Sequence, residues 1–194
     1  MKKFWLVMLP LIVFIAGVSF LYQGLFSDPR QLDSQVTGKP VPAFSLPALM
    51  NSDTTYTESV LKGKVTILNV WGVWCITCAV ELPYLTQLRE DEGVRFVGLY
   101  FDQDIDPDFG ARSLPEVQKE VTAMLKRFGS PYQFNIYDTY RDLSLDLGVT
   151  GAPEHFVIDA QGTVRLHHVG DINERVWRNK IQPVYQQLQQ EHAL

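Results

Sequence analysis

The sequence predicts an α/β fold: a central mixed β-sheet flanked by helices, with an N-terminal β-hairpin extension and one N-terminal transmembrane helix. Three observations predict it. Apolar β-branched runs alternate with runs of helical apolar period over most of the chain, as in sheets covered on both faces. The alternation ends in two strands joined by a turn and then a helix, so the sheet is mixed. An uncharged apolar stretch opens the chain.

That stretch is Phe4 through Tyr22, behind the basic Met1-Lys2-Lys3. Its nineteen residues would span about 28 Å as a helix at ~1.5 Å each, close to the hydrocarbon thickness of a bilayer. Pro10 lies inside, which membrane helices tolerate. The alternative is a cleaved signal peptide. Ala16-Gly17-Val18 is a poor small-x-small site, and Phe20, Leu21 and Tyr22 continue the apolar run. An uncleaved anchor is therefore expected over residues 4–22. Lys2 and Lys3 keep residues 1–3 in the cytoplasm by the positive-inside rule. The remainder then lies outside, in the periplasm of a Gram-negative cell, on a single-pass inner-membrane protein. Residues 23–37 are polar, without a sustained period, and read as a linker. The folded domain is expected over residues 38–194.

Within it, Gly38 to Pro47 alternates Val41, Phe44 and Leu46 among prolines, an edge strand. Thr54 to Thr57 is its hairpin partner, and Ser59 to Leu61 a helical turn. Lys64 to Val70 is a buried strand. Ala79 to Leu88 has a helical period, and Pro83 should kink that helix because it lacks an N–H. Val94 to Phe101 is a second buried strand. Asp102 to Ser113, acidic with Pro107 and Gly110, is a loop. Leu114-Pro115-Glu116 opens a helix that runs to Phe128, with proline near its start. Phe134 to Tyr137 is a strand, and Tyr140 to Leu147 a helix closed by Gly148. Glu154 to Ile158 and Thr163 to Val169 form a hairpin about Asp159-Ala160-Gln161-Gly162. A final amphipathic helix runs from Asn173 to Gln190.

The two cysteines, Cys75 and Cys78, sit where the first buried strand hands over to a helix. The first turn of a helix has backbone N–H groups without intrahelical partners and the positive end of the dipole. A thiolate at Cys75 is stabilised there, and the thiolate is the reactive form. Cys78, about one turn on, can close a disulfide onto it. The alternative is half of a zinc site, which needs two more ligands. There is no third cysteine, and His155, His167, His168 and His192 show no ligand-pair spacing. A purely structural disulfide is a weak reading, since so small a loop constrains the unfolded chain little. Redox chemistry is the expectation.

Composition narrows the remaining classes. Of 194 residues, 46% are apolar, ample for a core, and 20% are charged. A net charge of −5 argues against a basic nucleic-acid surface.

Trp74-Cys75-Ile76-Thr77-Cys78 together with Gly151-Ala152-Pro153-Glu154 resembles the thioredoxin superfamily, and more narrowly its membrane-anchored cytochrome c-maturation branch, the CcmG/DsbE family. Gly38-Lys39-Pro40-Val41-Pro42-Ala43-Phe44, Leu68-Asn69-Val70-Trp71 and Gly170-Asp171-Ile172-Asn173 extend the likeness over the whole chain. The resemblance implies a thioredoxin-like fold and a cis peptide bond between Ala152 and Pro153. That bond would leave the Ala152 backbone free to pair with an extended substrate beside Cys75. The bland alternative for Pro153, on the turn rules alone, is an ordinary turn before a strand. Ile76 stands where the family often has proline, Ala79 where it has a basic residue, and Thr150 where it has an aromatic one. Residues 102–114 make a longer loop than usual.

The implied activity is thiol–disulfide exchange, which needs no metal or organic cofactor. Cys75, at the exposed helix tip, attacks a substrate disulfide; Cys78, more buried, resolves the mixed disulfide. Glu81, three residues on over the same helix face, accepts the Cys78 proton. Glu154, after the cis-proline, faces the site as well. Two nearby carboxylates disfavour thiolate and make the pair more reducing, against the helix dipole. The bland alternatives are a solvated helix residue for Glu81 and a strand-edge charge for Glu154. Trp74 covers the sulfur, while Trp71, Tyr100, Phe101 and Trp177 are core. His155 should alternate to the opposite sheet face and is left out of the site. The implied substrate is the haem-binding Cys pair of apocytochrome c or the thiol carrier of that apoprotein. The implied electron donor is a DsbD-type membrane transporter. The competing functions are a general periplasmic thiol oxidoreductase and a non-redox module that holds apocytochrome.

Overall fold

The computed structural model describes residues 2–25, 35–103 and 110–193. The chain divides into two units, Met1–Asp33 and Ser34–Leu194. The first holds helix α1 (Lys2–Leu25), with Pro10 inside it. Side chains on α1 are described only for residues 8–22, and among the described residues no helix is long and apolar enough to cross a membrane. The expected span 4–22 starts before them. Residues 26–34 of the expected linker and 104–109 of the expected loop also lie outside the described residues.

In the second unit, packing starts earlier than the sequence suggests: Val36 is already buried with the core, and Gly38 N donates to Val164 O at 2.7 Å. Strands β1 (Ser45–Pro47) and β2 (Thr55–Thr57) pair antiparallel as a separate hairpin, followed by a 3-10 turn at Glu58–Leu61. The hairpin lies against the edge of the main sheet through an Ala48–Ile136 bridge and the Tyr56 and Phe134 rings, 4.4 Å apart.

The main sheet has five strands in the order β5-β4-β3-β6-β7. They are β3 (Thr66–Trp71), β4 (Phe96–Tyr100), β5 (Tyr132–Tyr137), β6 (Glu154–Ile158) and β7 (Val164–Val169). β3, β4 and β5 run parallel; β6 and β7 are antiparallel additions on the other side of β3. β3 is central, and all six of its residues are buried, which is why it reads as a continuous apolar run. The strand period sorts side chains by face. Ile67 and Trp71 pack with α2 (Ile76–Glu92) and α3 (Leu114–Phe128), whereas Leu68 and Val70 pack with Phe156, Leu143 and Val36. α2 is continuous with Pro83 inside it and ends at Gly93, whose φ of 67° is the left-handed cap glycine allows.

Four elements differ from expectation. β1 is only Ser45–Pro47 of the edge strand expected over Gly38 to Pro47. β5 begins at Tyr132, not Phe134, because Tyr132 pairs with Phe96. α4 is only Asp142–Asp146; the Asp138 carboxylate takes the Ser144 N–H at 2.7 Å and fixes its start. The last helix is capped by the Asn173 side chain on Val176 N. It then runs as α5 (Glu174–Val176), a π-helical segment Trp177–Ile181, and α6 (Gln182–Ala193). Both Trp177 and Ile181 of the widened segment are buried.

Gly98 on β4 faces the Trp71 indole and the Asn135 carboxamide, which hydrogen-bond to each other at 3.0 Å. A β-carbon there would overlap both. Gly98→Ala is expected to lower unfolding free energy by about 1–3 kcal/mol, as overpacked cores do, with the loss read from urea midpoints. A wild-type midpoint would show that this close approach does not constrain the sheet.

Candidate active site

β3 ends at Trp71, and Gly72-Val73-Trp74 carries the chain to Cys75, the N-cap of α2. A β-carbon on Gly72 would overlap the Trp74 indole, so glycine is what lets the turn close. Cys75 is extended (φ −93°, ψ 105°), and its sulfur takes the N–H of Cys78 at 3.1 Å. A sulfur thus occupies the place usually filled by a Ser, Asp or Asn oxygen. Cys75 and Cys78 are joined as a disulfide, so the structure shows the oxidised pair. The expected exposed tip is nearly covered: Cys75 is 5% exposed and Cys78 0%. Its neighbours Ile76 and Val80 are exposed instead, at 83% and 71%.

The Ala152–Pro153 bond is cis. It sets the Ala152 carbonyl 3.4 Å from Cys75 Sγ, where the reduced thiol can donate to it. Trp74 does not lie free over the sulfur. Its indole N–H donates to Phe101 O at 3.0 Å, and its ring tilts against Phe101. Two hollows lie around the turn, the first of them lined by Cys75 itself. One of about 470 Å³ lies between the first turn of α2 and α3, lined by Ile76, Ala79, Met124 and Phe128. One of about 260 Å³ lies between Trp74, Phe101 and the Thr150–Gly151 loop.

The two carboxylates occupy opposite faces of the sheet. Glu81 is 3% exposed on the α2 face. Its Oε1 accepts from Asn69 Nδ2 at 3.2 Å, its Oε2 from Ile172 N at 3.0 Å, and His155 Nε2 lies 3.3 Å from Oε2. Tyr132 OH donates to Asn69 Oδ1 at 2.5 Å. Glu154 corrects the expectation that it faces the thiols. It pairs with Val70 in the β3–β6 register and so shares that residue's face, away from α2. There its Oε1 takes the Thr150 N–H (2.8 Å), the Thr150 hydroxyl (2.7 Å) and the Gly151 N–H (2.9 Å), while Oε2 meets His167 Nε2 at 2.7 Å. Glu154 therefore holds the cis-proline loop, and through it the Ala152 carbonyl. Burial pushes its pKa up, but the hydrogen bonds from His167 and Thr150 outweigh that and leave it below the ordinary 4.5.

The same alternation corrects His155. It pairs with Asn69, on the α2 face, and is fully buried beside Glu81. Sequence reasoning missed Asn69, Tyr132, His155 and His167. The available signal was Asn69: a polar residue in the middle of an otherwise apolar strand needs buried partners.

A family model described as Redoxin matches residues 36–186. The thiol:disulfide interchange protein DsbE of Pseudomonas fluorescens biotype C is 43% identical over 186 residues, 96% of each chain. That of Escherichia coli (strain K12) is 39% identical over 192 residues, again 96% of each. Among solved structures, a thio-disulfide isomerase from Thermus thermophilus aligns with a TM-score of 0.55 and 22% identity, over 76% of this chain and 95% of the other. A secreted Mycobacterium tuberculosis disulfide oxidoreductase aligns at 0.52 and 17%, over 75% and 93%. These structures show that the fold is thioredoxin-like.

His168, on β7, is held at about 4 instead of 6.5, by burial first and then by His155 and Lys180, with the Asp171 carbonyl opposing. The unfolded chain therefore binds a proton from about 6.5 downward that the folded chain refuses until about 4. Stability must fall as pH drops through that window. Glu154, an acid held low, adds a loss in the same direction once pH passes below 4.5 toward its lowered value. Urea unfolding across pH is expected to show a smaller loss between about 6.5 and about 4 in His168→Gln than in wild type. Parallel curves would assign that loss elsewhere.

Proposed function

The chain belongs to the Redoxin family, and within it to the DsbE thiol:disulfide interchange proteins; from that premise we propose that it reduces the haem-binding cysteine pair of apocytochrome c, or the thiol carrier of that pair, outside the cytoplasmic membrane. The chain is a thiol:disulfide oxidoreductase of the dithiol type, with Cys75 and Cys78 as the redox pair. The observation that carries the reading is the meeting of three features at one sulfur. Cys75 caps α2, touches the cis-proline loop, and lies one turn from a buried carboxylate.

The reaction follows from that placement. Cys75 Sγ, as thiolate, attacks the substrate disulfide and forms a mixed disulfide. The Ala152 backbone beside it offers an extended substrate segment a strand partner, and the hollow lined by Cys75, Ile76 and Ala79 receives a residue flanking its cysteine. Cys78 then gives its proton to Glu81 and attacks Cys75, releasing reduced substrate. Glu154 keeps the loop in place. The uncharged run Phe4–Tyr22 supports a single-pass anchor in the inner membrane, with the redox domain in the periplasm. A DsbD-type membrane protein supplies the electrons.

One observation favours a wider client range. Ile76 and Val80, apolar and exposed beside Cys75, select by contact area and not by charge. A general periplasmic thiol oxidoreductase is therefore the second reading. Cys78→Ala in cells is expected to accumulate a mixed disulfide on Cys75, identified by mass spectrometry. A haem-attachment peptide or its carrier supports the first reading, and a broad set of envelope proteins the second. Retained cytochrome maturation in Cys75→Ala and Cys78→Ala cells would contradict both, in favour of a holding module. In the same cells, alkaline carbonate is expected to leave the chain in the membrane pellet; its release would remove the anchor.

A further inference from the structure

We infer that His155 is a positioning residue for the proton transfer: its Nε2, 3.3 Å from Glu81 Oε2, holds the proton that Glu81 takes from Cys78, so that carboxyl and imidazole accept it as a pair. This rests on the role proposed for Glu81.

The hydrogen-bond pattern around Nε2 leaves a slot for one proton. Asn69 Oδ1 is taken by the Tyr132 hydroxyl, so its NH2 group points at Glu81 Oε1 and at His155 Nε2, 2.6 Å away. The one lone pair of Nε2 receives this N–H. An ionised Glu81 Oε2, 3.3 Å from the partly negative Nε2, is disfavoured in a dry interior. A proton on Oε2 removes that repulsion and shares the Nε2 lone pair with the Asn69 N–H. The other ring nitrogen, Nδ1, is buried and has no partner among the described residues, so the ring has nowhere else to pass the proton.

The groups around His155 leave this pair isolated near neutral pH. From β7, the His168 ring is 6.1 Å away and stays neutral, its Nδ1 facing Lys180 Nζ and its Nε2 the Asp171 carbonyl. From β5, the Tyr132 phenol is held well above 10, by burial and then by Glu81, and keeps its proton. From α2 comes Glu81 itself, and from β3 the untitratable Asn69.

The step balances. Cys78 Sγ–H loses its proton to Glu81, and the Cys78–Cys75 sulfur bond forms. The bond from Cys75 to the substrate sulfur breaks, with its electron pair leaving on the substrate thiolate, which is protonated by water. The enzyme dithiol is oxidised and the substrate disulfide reduced.

The test is single-turnover reduction of glutathione disulfide by the full reduced chain, sampled by quenched-flow mass spectrometry from about pH 5 to pH 9. Formation of the Cys75–glutathione adduct and its resolution by Cys78 are read separately. His155→Gln keeps an amide near Nε2 but cannot share a proton. Expected are resolution slowed at least ~10-fold near neutral pH, a profile midpoint moved by at least ~1 unit, and adduct formation within ~2-fold of wild type. If Glu81→Gln moves the profile while the His155→Gln midpoint overlays wild type, this inference fails and the role of Glu81 stands. If the Glu81→Gln profile itself overlays wild type, both fail. Should His155→Gln not fold, ring ¹⁵N shifts of the wild-type protein decide. Expected is an Nε2 that accepts and whose shift changes between disulfide and dithiol forms. An Nε2 with its own proton, unchanged on reduction, would overturn the proposal.

Discussion

The backbone N–H of Cys78 points at the sulfur of Cys75 from 3.1 Å, and the rest of the site is arranged around that contact. A helix start leaves donors that need an acceptor. Here the acceptor is the atom that does the chemistry, so the bond that satisfies the helix also holds the nucleophile where partial positive charge favours its anion. This requires the strand to deliver the chain in an extended conformation at Cys75, which Gly72 and the packed Trp74 turn provide. It also requires a second backbone segment close enough to touch the sulfur, which the cis bond before Pro153 supplies.

The central strand divides the two acids between two jobs. Residues of odd number on β3 face α2, so Asn69 and its cross-strand partner His155 meet Glu81 there, one turn from Cys78. Val70 and its partner Glu154 face the other way, where the carboxylate gathers three donors from Thr150 and Gly151 and a fourth contact from His167. Glu154, held ionised by those bonds, works as a bracket for the loop. Glu81 accepts hydrogen bonds on both oxygens and has the His155 imidazole 3.3 Å from its Oε2.

Much of this was legible from the residues. The period of the runs gave the strands and helices, because β3 and β4 are buried on both faces and α3 is amphipathic. The Cys pair and Pro153 carried their chemistry in their spacing and neighbours. What failed was the assignment of Glu154 and His155 to faces. Alternation along β6 holds, but nearness to Pro153 in sequence does not fix which way the first side chain of the strand points. Register does, and register arises from pairing across β3 and β6, between residues 86 positions apart for Asn69 and His155. The π-helical segment at Trp177–Ile181 was invisible for a similar reason, since its buried residues answer to distant neighbours such as Glu92.

The most direct measurement is alkylation of the reduced, folded chain with iodoacetamide, mapped by peptide mass spectrometry. If the helix start holds Cys75 as the reactive sulfur and the interior shields Cys78, label accumulates on Cys75 and reaches Cys78 only after unfolding. Equal labelling of the two, or labelling of Cys78 first, would contradict the account.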